Sequence, residues 1–117
     1  MKIIYIAGPI TGMKNLNREA FDNASKELKS LGYIVRNPHE FCSNIPKDAP
    51  WEMFMRICIS VLSECTDVIL LNGWKHSTGA NLEKHIATEL SMNIHYGVED
   101  FKSNILADLH REEQEVF

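Results

Sequence analysis

The 117-residue sequence lacks the features that would place it among membrane, secreted or fibrous proteins. No apolar run approaches the ~18 residues that a membrane-spanning helix needs. The apolar start, from Met1 to Ala7, is too short for a secretory signal peptide and has no small-residue cleavage site. Repeats, linkers and low-complexity segments are missing as well. We therefore expect a single domain over residues 1–117 that stays in the cytoplasm and contacts no membrane.

Cysteine and clusters of metal-ligating residues are also scarce. The three cysteines, Cys42, Cys58 and Cys65, are an odd number and form no Cys-x-x-Cys pair. This set is typical of a reducing compartment and predicts neither a disulfide framework nor a zinc site. His85 and Glu89 share a helix face, but a metal site would need a third ligand. The sequence therefore predicts no bound metal.

The sequence has no basic stripe of the kind that binds nucleic acid. Its net charge is -4, and residues 1–98 hold ten acidic and ten basic residues. The excess lies in residues 99–117, where six acidic residues accompany only Lys102 and Arg111. We therefore expect no duplex nucleic acid as a partner. We also expect the acidic tail to fray from about residue 108.

The pattern of apolar residues indicates alternating strands and helices. Short apolar runs predict strands at 2–7, 33–35, 67–71 and, more weakly, 93–96. Helical periodicity predicts a helix capped by Asn15 or Asn17, with an apolar face of Phe21, Ala24, Leu28 and Leu31. Further helices are expected from about residues 51, 79 and 99. This alternation predicts an α/β fold, a three-layer doubly wound (flavodoxin- or Rossmann-like) sandwich with a four- to five-stranded, mainly parallel sheet.

Such folds bind ligands outside the carboxyl ends of their strands. The segments predicted to lie there are 8–12, 37–50 and 72–79, and they are the stretches richest in glycine, proline and polar residues. We expect residues 37–50 to be irregular, and long loops in compact domains are often functional. The coincidence predicts a small-molecule site. Asn37, which begins the second of these segments, is one predicted binding residue.

The first segment, Gly8-Pro9-Ile10-Thr11-Gly12, follows the first strand, where a phosphate-binding loop would lie. It matches neither the P-loop pattern nor Gly-x-Gly-x-x-Gly, so ATP and dinucleotide cofactors lose support and we expect no cofactor. The segment is either a set of backbone N–H groups that contact an anion or a sugar, or a tight turn before a helix. Trp74 in the third segment is either a core anchor or a ring that stacks on a base.

Glu83 is the strongest catalytic candidate. It shares a predicted helix face with Ile86, Ala87 and Leu90, so its carboxylate heads the stripe that packs on the sheet. Burial favours the neutral form of such a group and a helix N-terminus favours the charged form, which suits a nucleophile or a general acid–base. The alternative is a helix-capping glutamate. A capping box needs Ser or Thr three residues earlier, where the sequence has Ala80.

Three motifs together resemble the nucleoside 2-deoxyribosyltransferases and their relatives, the 2'-deoxynucleoside 5'-phosphate N-hydrolases. They are Tyr5 to Gly12, the strand and turn from Asp67 to Trp74, and Ser77-Thr78-Gly79-Ala80-Asn81-Leu82-Glu83. The Gly-Trp…Ser-x-Gly-Ala-x-x-Glu signature is similar to that of small, mostly phage-encoded members of this superfamily. The resemblance covers about residues 2–96.

The resemblance implies an enzyme that cleaves or transfers at the N-glycosidic bond of a 2'-deoxynucleoside or its 5'-monophosphate. It implies that Glu83 is the nucleophile and that Tyr5 orients it. It also implies a homodimer or a higher homo-oligomer, for which the apolar second helix is suited. The residues expected to bind substrate are Gly8, Pro9, Ile10, Thr11 and Gly12 at the sugar, Ser77 and Gly79 at the 5'-hydroxyl or phosphate, and Asn37 and Trp74.

One residue departs from the pattern of these enzymes. Their second helix usually carries an Asp that binds the sugar and helps protonate the departing base, and Cys58 occupies that position here. A thiol does not replace a carboxylate in either task at neutral pH. A nucleotide-binding, sequestering or sensing protein with a degenerate site is therefore an alternative. A third is an interaction protein that uses the apolar second helix and the acidic tail. The sequence leaves three points open: the base preference, the need for a 5'-phosphate, and whether the acceptor is water or a second base.

Overall fold

Four short parallel strands form the centre of the protein. The computed structural model describes the backbone of residues 1–115 and the side chains of residues 1–112. The strands are β1 (Ile3–Ala7), β2 (Ile34–Arg36), β3 (Asp67–Leu70) and β4 (Asn93–His95), in the order β2-β1-β3-β4. Ile4 of β1 pairs with Val35 on one side and Asp67 on the other. The two inner strands are buried on both faces, which explains their continuous apolar sequence.

Helices cover both faces of the sheet. They are α1 (Arg18–Ser30), α2 (Pro38–Phe41), α3 (Trp51–Leu62), α4 (Thr78–Glu89) and α5 (Val98–Glu115). Successive strand residues point to opposite faces, so β1 contributes to two separate cores. Ile4 and Ile6 pack with α1 and α5, whereas Tyr5 and Ala7 pack with α3 and α4. The predicted three-layer, doubly wound architecture is therefore confirmed, with four strands.

The strand order reverses at β1, because β2 lies on one side of it and β3 on the other. Ligands of doubly wound folds bind in the crevice at such a reversal, outside the carboxyl ends of the strands. The segments that follow β1 and β3 meet at this edge. The topology therefore places the region around Gly8 and Gly73 where a ligand site is expected.

Residues 37–50 are not wholly irregular, which corrects one expectation. Asn37 and Pro38 begin the short helix α2, in which the Asn37 side chain accepts a hydrogen bond from the backbone N–H of His39. Asparagine at the cap and proline at the first helical position form a start signal. This start signal lies in the stretch that the sequence pattern predicts to be irregular. The remainder, residues 42–50, is the connection to α3.

The cap prediction for α1 was wrong in its chemistry. Asn17 precedes the helix, but it adopts a left-handed conformation and makes no capping bond. Its amide instead donates to the backbone oxygen of Pro9, which ties the first loop to α1. The apolar faces also end earlier than predicted. Leu31 and Leu90 stand at the C-caps of α1 and α4, where their side chains are exposed.

The acidic segment is helical over the described residues. Helix α5 continues to Glu115, and residues 116–117 lie outside the described part. The expected fraying from about residue 108 stays a prediction. Phe101 anchors the helix and packs edge-on against His95 and Tyr33. Farther along, Leu106 and Leu109 are exposed. Among residues 1–115, no helix has both the length and the apolar character that crossing a membrane requires.

Phe101→Ala is expected to lower the free energy of unfolding by about 3–5 kcal/mol, because it removes a fully buried ring from the α1–α5 core. Urea denaturation followed by circular dichroism measures the loss. Leu109→Ala is the matched control on the same helix, since its side chain is 51% exposed, and we expect a change within about 0.5 kcal/mol. Equal losses in the two variants would contradict this account of how α5 is held.

Candidate active site

The loops after β1 and β3 touch at the carboxyl edge of the sheet. Gly8 is packed so closely that a Cβ there would lie 2.9 Å from the Cβ of Leu71. Gly73 has a φ of +87°, and a Cβ there would lie 3.3 Å from Cγ of Pro9. Larger side chains at either position would force the two loops apart. Two glycines thus bring the first and third predicted segments together beside β1.

A buried Tyr–Glu pair lies under this edge, on the sheet face covered by α3 and α4. Tyr5 is the third residue of β1 and is fully buried. Glu83 is the sixth residue of α4, in its second turn rather than its first, and only 6% of it is exposed. Ala80 and Ala87, which flank Glu83 on the same helix face, are both buried. Their small side chains let α4 lie close to the sheet, and the Tyr5 hydroxyl donates a hydrogen bond to Oε2 of Glu83.

Glu83 does not cap its helix. Ser77 is the N-cap residue, and its hydroxyl oxygen accepts a hydrogen bond from the backbone N–H of Ala80 at 3.1 Å. We considered a capping glutamate paired with a residue three positions earlier, but the cap lies six positions earlier. This leaves the capping alternative for Glu83 without support. The carboxyl group is therefore buried for a reason other than helix termination.

Burial sets the protonation of the pair. Burial raises the pKa of Glu83 to about 7, although the hydrogen bond from Tyr5 acts in the opposite direction. Burial and then the nearby charge of Glu83 raise the pKa of Tyr5 well above its usual value of 10.0. Tyr5 therefore stays protonated and acts as a donor near neutral pH. Glu83 exists there as a mixture of acid and carboxylate, a state suited to nucleophilic or acid–base chemistry.

Sulfur atoms line the α3 side of the pair. The Cys58 thiol interacts with the Tyr5 hydroxyl and with the Cys42 thiol. Burial raises the pKa of Cys58 to about 12, so this group remains a thiol at neutral pH. Met55 lies one turn earlier on α3, where its Sδ would be 3.2 Å from a Cβ on Gly79. The lack of a side chain at Gly79 therefore lets α3 approach the start of α4.

The other predicted substrate residues occupy different environments. Pro9 is buried, and Ile10 packs against the α1–α5 core rather than toward Glu83. Thr11 and Gly12 are exposed. The Asn37 amide is engaged within the protein, because it caps α2 and donates to Asp22. Substrate binding by these residues stays a prediction.

The two tryptophans differ in how free their rings are. Trp74 already contacts the ring of Tyr96, and the ammonium group of Lys84 lies 4.8 Å from its ring centroid. Trp51 stands one turn before Met55 on the α3 face that carries Cys58, and it is 42% exposed. Trp51, Met55 and Cys58 are spaced four and then three residues apart, and this helical spacing is the sequence signal that puts them on one face. Sequence reasoning favoured Trp74 for stacking, whereas Trp51 presents the more accessible ring.

A second buried carboxyl group lies on the opposite face of the sheet. Asp67 bonds to Nε2 of His95 at 2.8 Å, to Thr66 and to the ammonium group of Lys2, while Nδ1 of His95 bonds to Asn104. Burial alone would raise the pKa of Asp67, but these hydrogen bonds outweigh it and hold the pKa below its usual value. Because it lies on the opposite face of the sheet, Asp67 adds no carboxylate to the site of Tyr5 and Glu83. Among residues 1–112, no group of three or more His, Cys, Asp or Glu side chains is arranged to hold a metal ion.

Glu83→Gln is expected to remove a pH-dependent loss of stability. The folded state keeps the Glu83 proton up to a pH of about 7, whereas the unfolded chain releases it near the usual pKa of 4.5. Wild-type stability therefore falls between pH 4.5 and 7, by at most about 3 kcal/mol from this group. We expect Glu83→Gln to become more stable than wild type by a margin that grows from pH 4.5 to pH 8 in urea denaturation. Glu89→Gln, at an exposed position on the same helix, is the control; a margin independent of pH would contradict the raised pKa.

The fold is similar to that of a 2-deoxyribosyltransferase from the psychrotolerant bacterium Bacillus psychrosaccharolyticus. The TM-score is 0.64 at 16% sequence identity, and the match covers 80% of this chain and 69% of the other. At this identity the similarity establishes the fold, and it agrees with the predicted architecture. No curated protein matches the sequence.

Residues 2–96 match the sequence model of DUF4406, described as a domain of unknown function. The matched segment runs from β1 through β4 and so includes Tyr5, Cys58 and Glu83, while α5 lies beyond it. The match covers most of the chain and includes all three motifs identified in the sequence. The chain therefore belongs to the DUF4406 family.

Proposed function

We propose that the protein cleaves or transfers at the N-glycosidic bond of a 2'-deoxynucleoside or its 5'-monophosphate, with Glu83 as the nucleophile. The observation that carries this proposal is a buried glutamate held by a tyrosine hydroxyl beside the topological switch of the sheet. The fold of the protein is similar to that of a 2-deoxyribosyltransferase, an enzyme named for the transfer of a deoxyribosyl group. This similarity supports the reaction class.

The proposed reaction has two displacements at the anomeric carbon C1'. In the first, a carboxylate oxygen of Glu83 forms a bond to C1', while the bond from C1' to the base nitrogen breaks and its electron pair leaves with the base. The departing base takes up a proton from solvent. In the second, water or another base attacks C1' and loses a proton to solvent, while the bond from C1' to the Glu83 oxygen breaks and the carboxylate is released. Hydrolysis and transfer differ only in this second nucleophile.

Tyr5 positions the nucleophile. Its hydroxyl bonds to Oε2 and leaves Oε1 available for attack. Because Tyr5 is packed within β1, the bonded carboxyl group cannot rotate freely. Fixing the attacking atom before the reaction lowers the entropic part of the barrier. Tyr5 also favours the charged form of Glu83, since its hydrogen bond lowers the pKa of the carboxyl group.

The loop residues would hold the sugar. In the proposal, the segment from Gly8 to Gly12 contacts deoxyribose, and Ser77 and Gly79 bind its 5'-hydroxyl or 5'-phosphate. Two features support the second part. Ser77 uses its oxygen to cap α4, so its O–H remains able to donate. The first N–H groups of α4 have no acceptor within the helix, and helix N-termini favour anions.

Protonation of the departing base is the step for which the site is least equipped. Cys58 occupies the place where the resembled enzymes carry Asp, and its thiol, with a pKa of about 12, is a poor proton donor at neutral pH. This residue favours the alternative function, a protein that binds, sequesters or senses nucleotides without turning them over. Asn37 and Trp74 remain proposed contacts for either function.

The proposal extends to the remaining expectations about this chain. We propose one nucleoside 2-deoxyribosyltransferase-like domain over residues 1–117, related to the small phage-type members and the 2'-deoxynucleoside 5'-phosphate N-hydrolases. We also propose a homodimer or a higher homo-oligomer, which sedimentation velocity tests directly. The exposed Trp51 and Met53 on α3 are apolar side chains that such an interface would cover.

Incubation with each 2'-deoxynucleoside and each 5'-monophosphate, followed by chromatography for free base, tests the function. We expect base release with at least one substrate and a loss of 10³-fold or more (order of magnitude, about 4 kcal/mol) in Glu83→Gln, because an amide is a poor nucleophile. Glu89→Gln should retain full activity. Release that persists in Glu83→Gln would refute the assigned nucleophile.

A folded wild-type protein that releases no base from any substrate would refute the enzymatic proposal. Saturable nucleotide binding by calorimetry would then support the binding alternative. Cys58→Asp would test the reason, since it restores a carboxylate at the position where the resembled enzymes have one. If neither release nor binding occurs, the alternative fails as well.

The pH dependence of base release tests the protonation of Glu83. Only the carboxylate attacks C1', so kcat/KM should rise with pH and level off above a pKa of about 7. In Tyr5→Phe the midpoint should move to higher pH, because the hydrogen bond that lowers this pKa is absent. A rise in kcat/KM centred near the usual glutamate pKa of 4.5 would show that Glu83 is not the titrating group.

A further inference from the structure

Cys42 and Cys58 come together although sixteen positions separate them in the sequence. Cys42 is the C-cap of α2, and Cys58 lies in the middle of α3. Their thiols interact, and both pack against the cluster that contains Tyr5 and Ala7. Phe41, next to Cys42, places its ring 6.0 Å from that of Tyr5. The pair therefore borders the Tyr5–Glu83 site.

The two thiols differ in exposure. Cys58 is buried, whereas Cys42 is half-buried and reaches the surface. An oxidant from solvent therefore meets Cys42 first, with Cys58 behind it. Cys65 offers a contrast, because it is buried beyond the end of α3 and its thiol bonds to the backbone oxygen of Val61 at 3.3 Å. The fold thus separates the three cysteines into one pair and one isolated thiol.

We propose that Cys42 and Cys58 form a dithiol modification site, which a peroxide or a diazene oxidant converts into an intramolecular disulfide beside Glu83. With a peroxide, the Cys42 sulfur attacks one oxygen, releases water and becomes a sulfenic acid. Cys58 then attacks the Cys42 sulfur, the S–O bond breaks, and the hydroxide leaves as water with the Cys58 proton. Two thiols and one hydrogen peroxide thus give one disulfide and two waters. With a diazene, the Cys42 thiol adds across the N=N bond, Cys58 then attacks the Cys42 sulfur, the S–N bond breaks, and the oxidant leaves as the hydrazine with both thiol protons.

Proximity is the physical basis of the second step. Burial raises the pKa of both thiols, which makes the first step slow compared with that of dedicated redox cysteines. Once Cys42 is oxidised, however, Cys58 is already in place and reacts as an intramolecular neighbour. A disulfide needs its two α-carbons within about 7 Å. Cys42 lies at the end of α2, before the connection of residues 43–50, whereas Cys58 lies within α3.

The bridge would alter the site. It would fix the end of α2 to α3 and replace the thiol that lies beside the Tyr5 hydroxyl by a disulfide sulfur. If the protein is the proposed glycosyl-transfer enzyme, we expect base release to fall on oxidation and to return with dithiothreitol. Only this activity readout rests on the proposed function. The formation of the bridge does not depend on the proposed function.

Diamide treatment of the reduced, folded protein, followed by mass spectrometry, tests the site. We expect the loss of two of the three titratable thiols and of two hydrogens in mass, reversed by dithiothreitol. Digestion with trypsin and Glu-C cuts after Arg56 and after Glu64, so Cys58 and Cys65 fall on different peptides. The expected product joins the Cys42 peptide to the Cys58 peptide and leaves Cys65 free.

Matched variants separate the proposal from its competitors. Cys65→Ser should still form the bridge, whereas Cys42→Ser should form none. Glu83→Gln should also form it, so failure of glycosyl transfer and failure of the bridge are distinct results. A bridge to Cys65, a product that links two chains, or no thiol loss under conditions that oxidise the urea-unfolded protein would each overturn the proposal. The wild-type peptide map decides the matter even if Cys42→Ser does not fold.

Discussion

The contact between Tyr5 and Glu83 is the constraint on which the rest of the site depends. A carboxyl group in an apolar layer is costly unless it is neutral or hydrogen-bonded. Here it is bonded to one hydroxyl and packed between α4 and the sheet, and burial raises its pKa to about 7. A leucine there would pack without that cost. The arrangement therefore lowers stability near neutral pH, and a buried carboxyl group with a strongly raised pKa is typical of functional sites.

The same sheet holds a carboxyl group in the opposite state. Asp67 is likewise inaccessible to solvent, but hydrogen bonds from His95, Thr66 and Lys2, together with the charge of Lys2, outweigh its burial and lower its pKa. Because its partners extend to Asn104 on α5, this network joins the last helix to the sheet. Three donors and the charge of Lys2 thus stabilise the charged form of Asp67, whereas Glu83 has one donor and its burial dominates.

Close backbone approach is what allows the site to form. Gly8 and Gly73 bring two loops together, and Gly79 lets Met55 lie against the start of α4. A Cβ at any of these three glycines would push the contacting elements apart. The small residues Ala80 and Ala87 act in the same way beneath α4. The site thus depends on glycine and alanine, whose small size lets the loops and helices approach closely. Only a few polar groups lie between them.

The sequence by itself determined the alternation of strands and helices, because apolar runs and helical periodicity follow from which faces must be buried. It also determined that Glu83 faces the sheet, since the flanking residues of α4 repeat at helical spacing. It did not reveal α2, whose start signal lies in a stretch read as irregular, nor the end of the apolar faces at Leu31 and Leu90. The end of an apolar face depends on where a helix extends beyond the element that it packs against.

Only the tertiary structure decided what each candidate touches. Tyr5 and Glu83 are 78 positions apart and meet because β1 and α4 share one face of the sheet. The packing of the chain also brings His95 to Asp67 on the other face of the sheet. It places Asp22 where the Asn37 amide donates to it, and the Lys84 ammonium group over the ring of Trp74. It also pairs Cys42 with Cys58 and leaves Cys65 apart. Local sequence fixes the direction in which a side chain points on its own element, but contacts between elements depend on the packing of the whole chain.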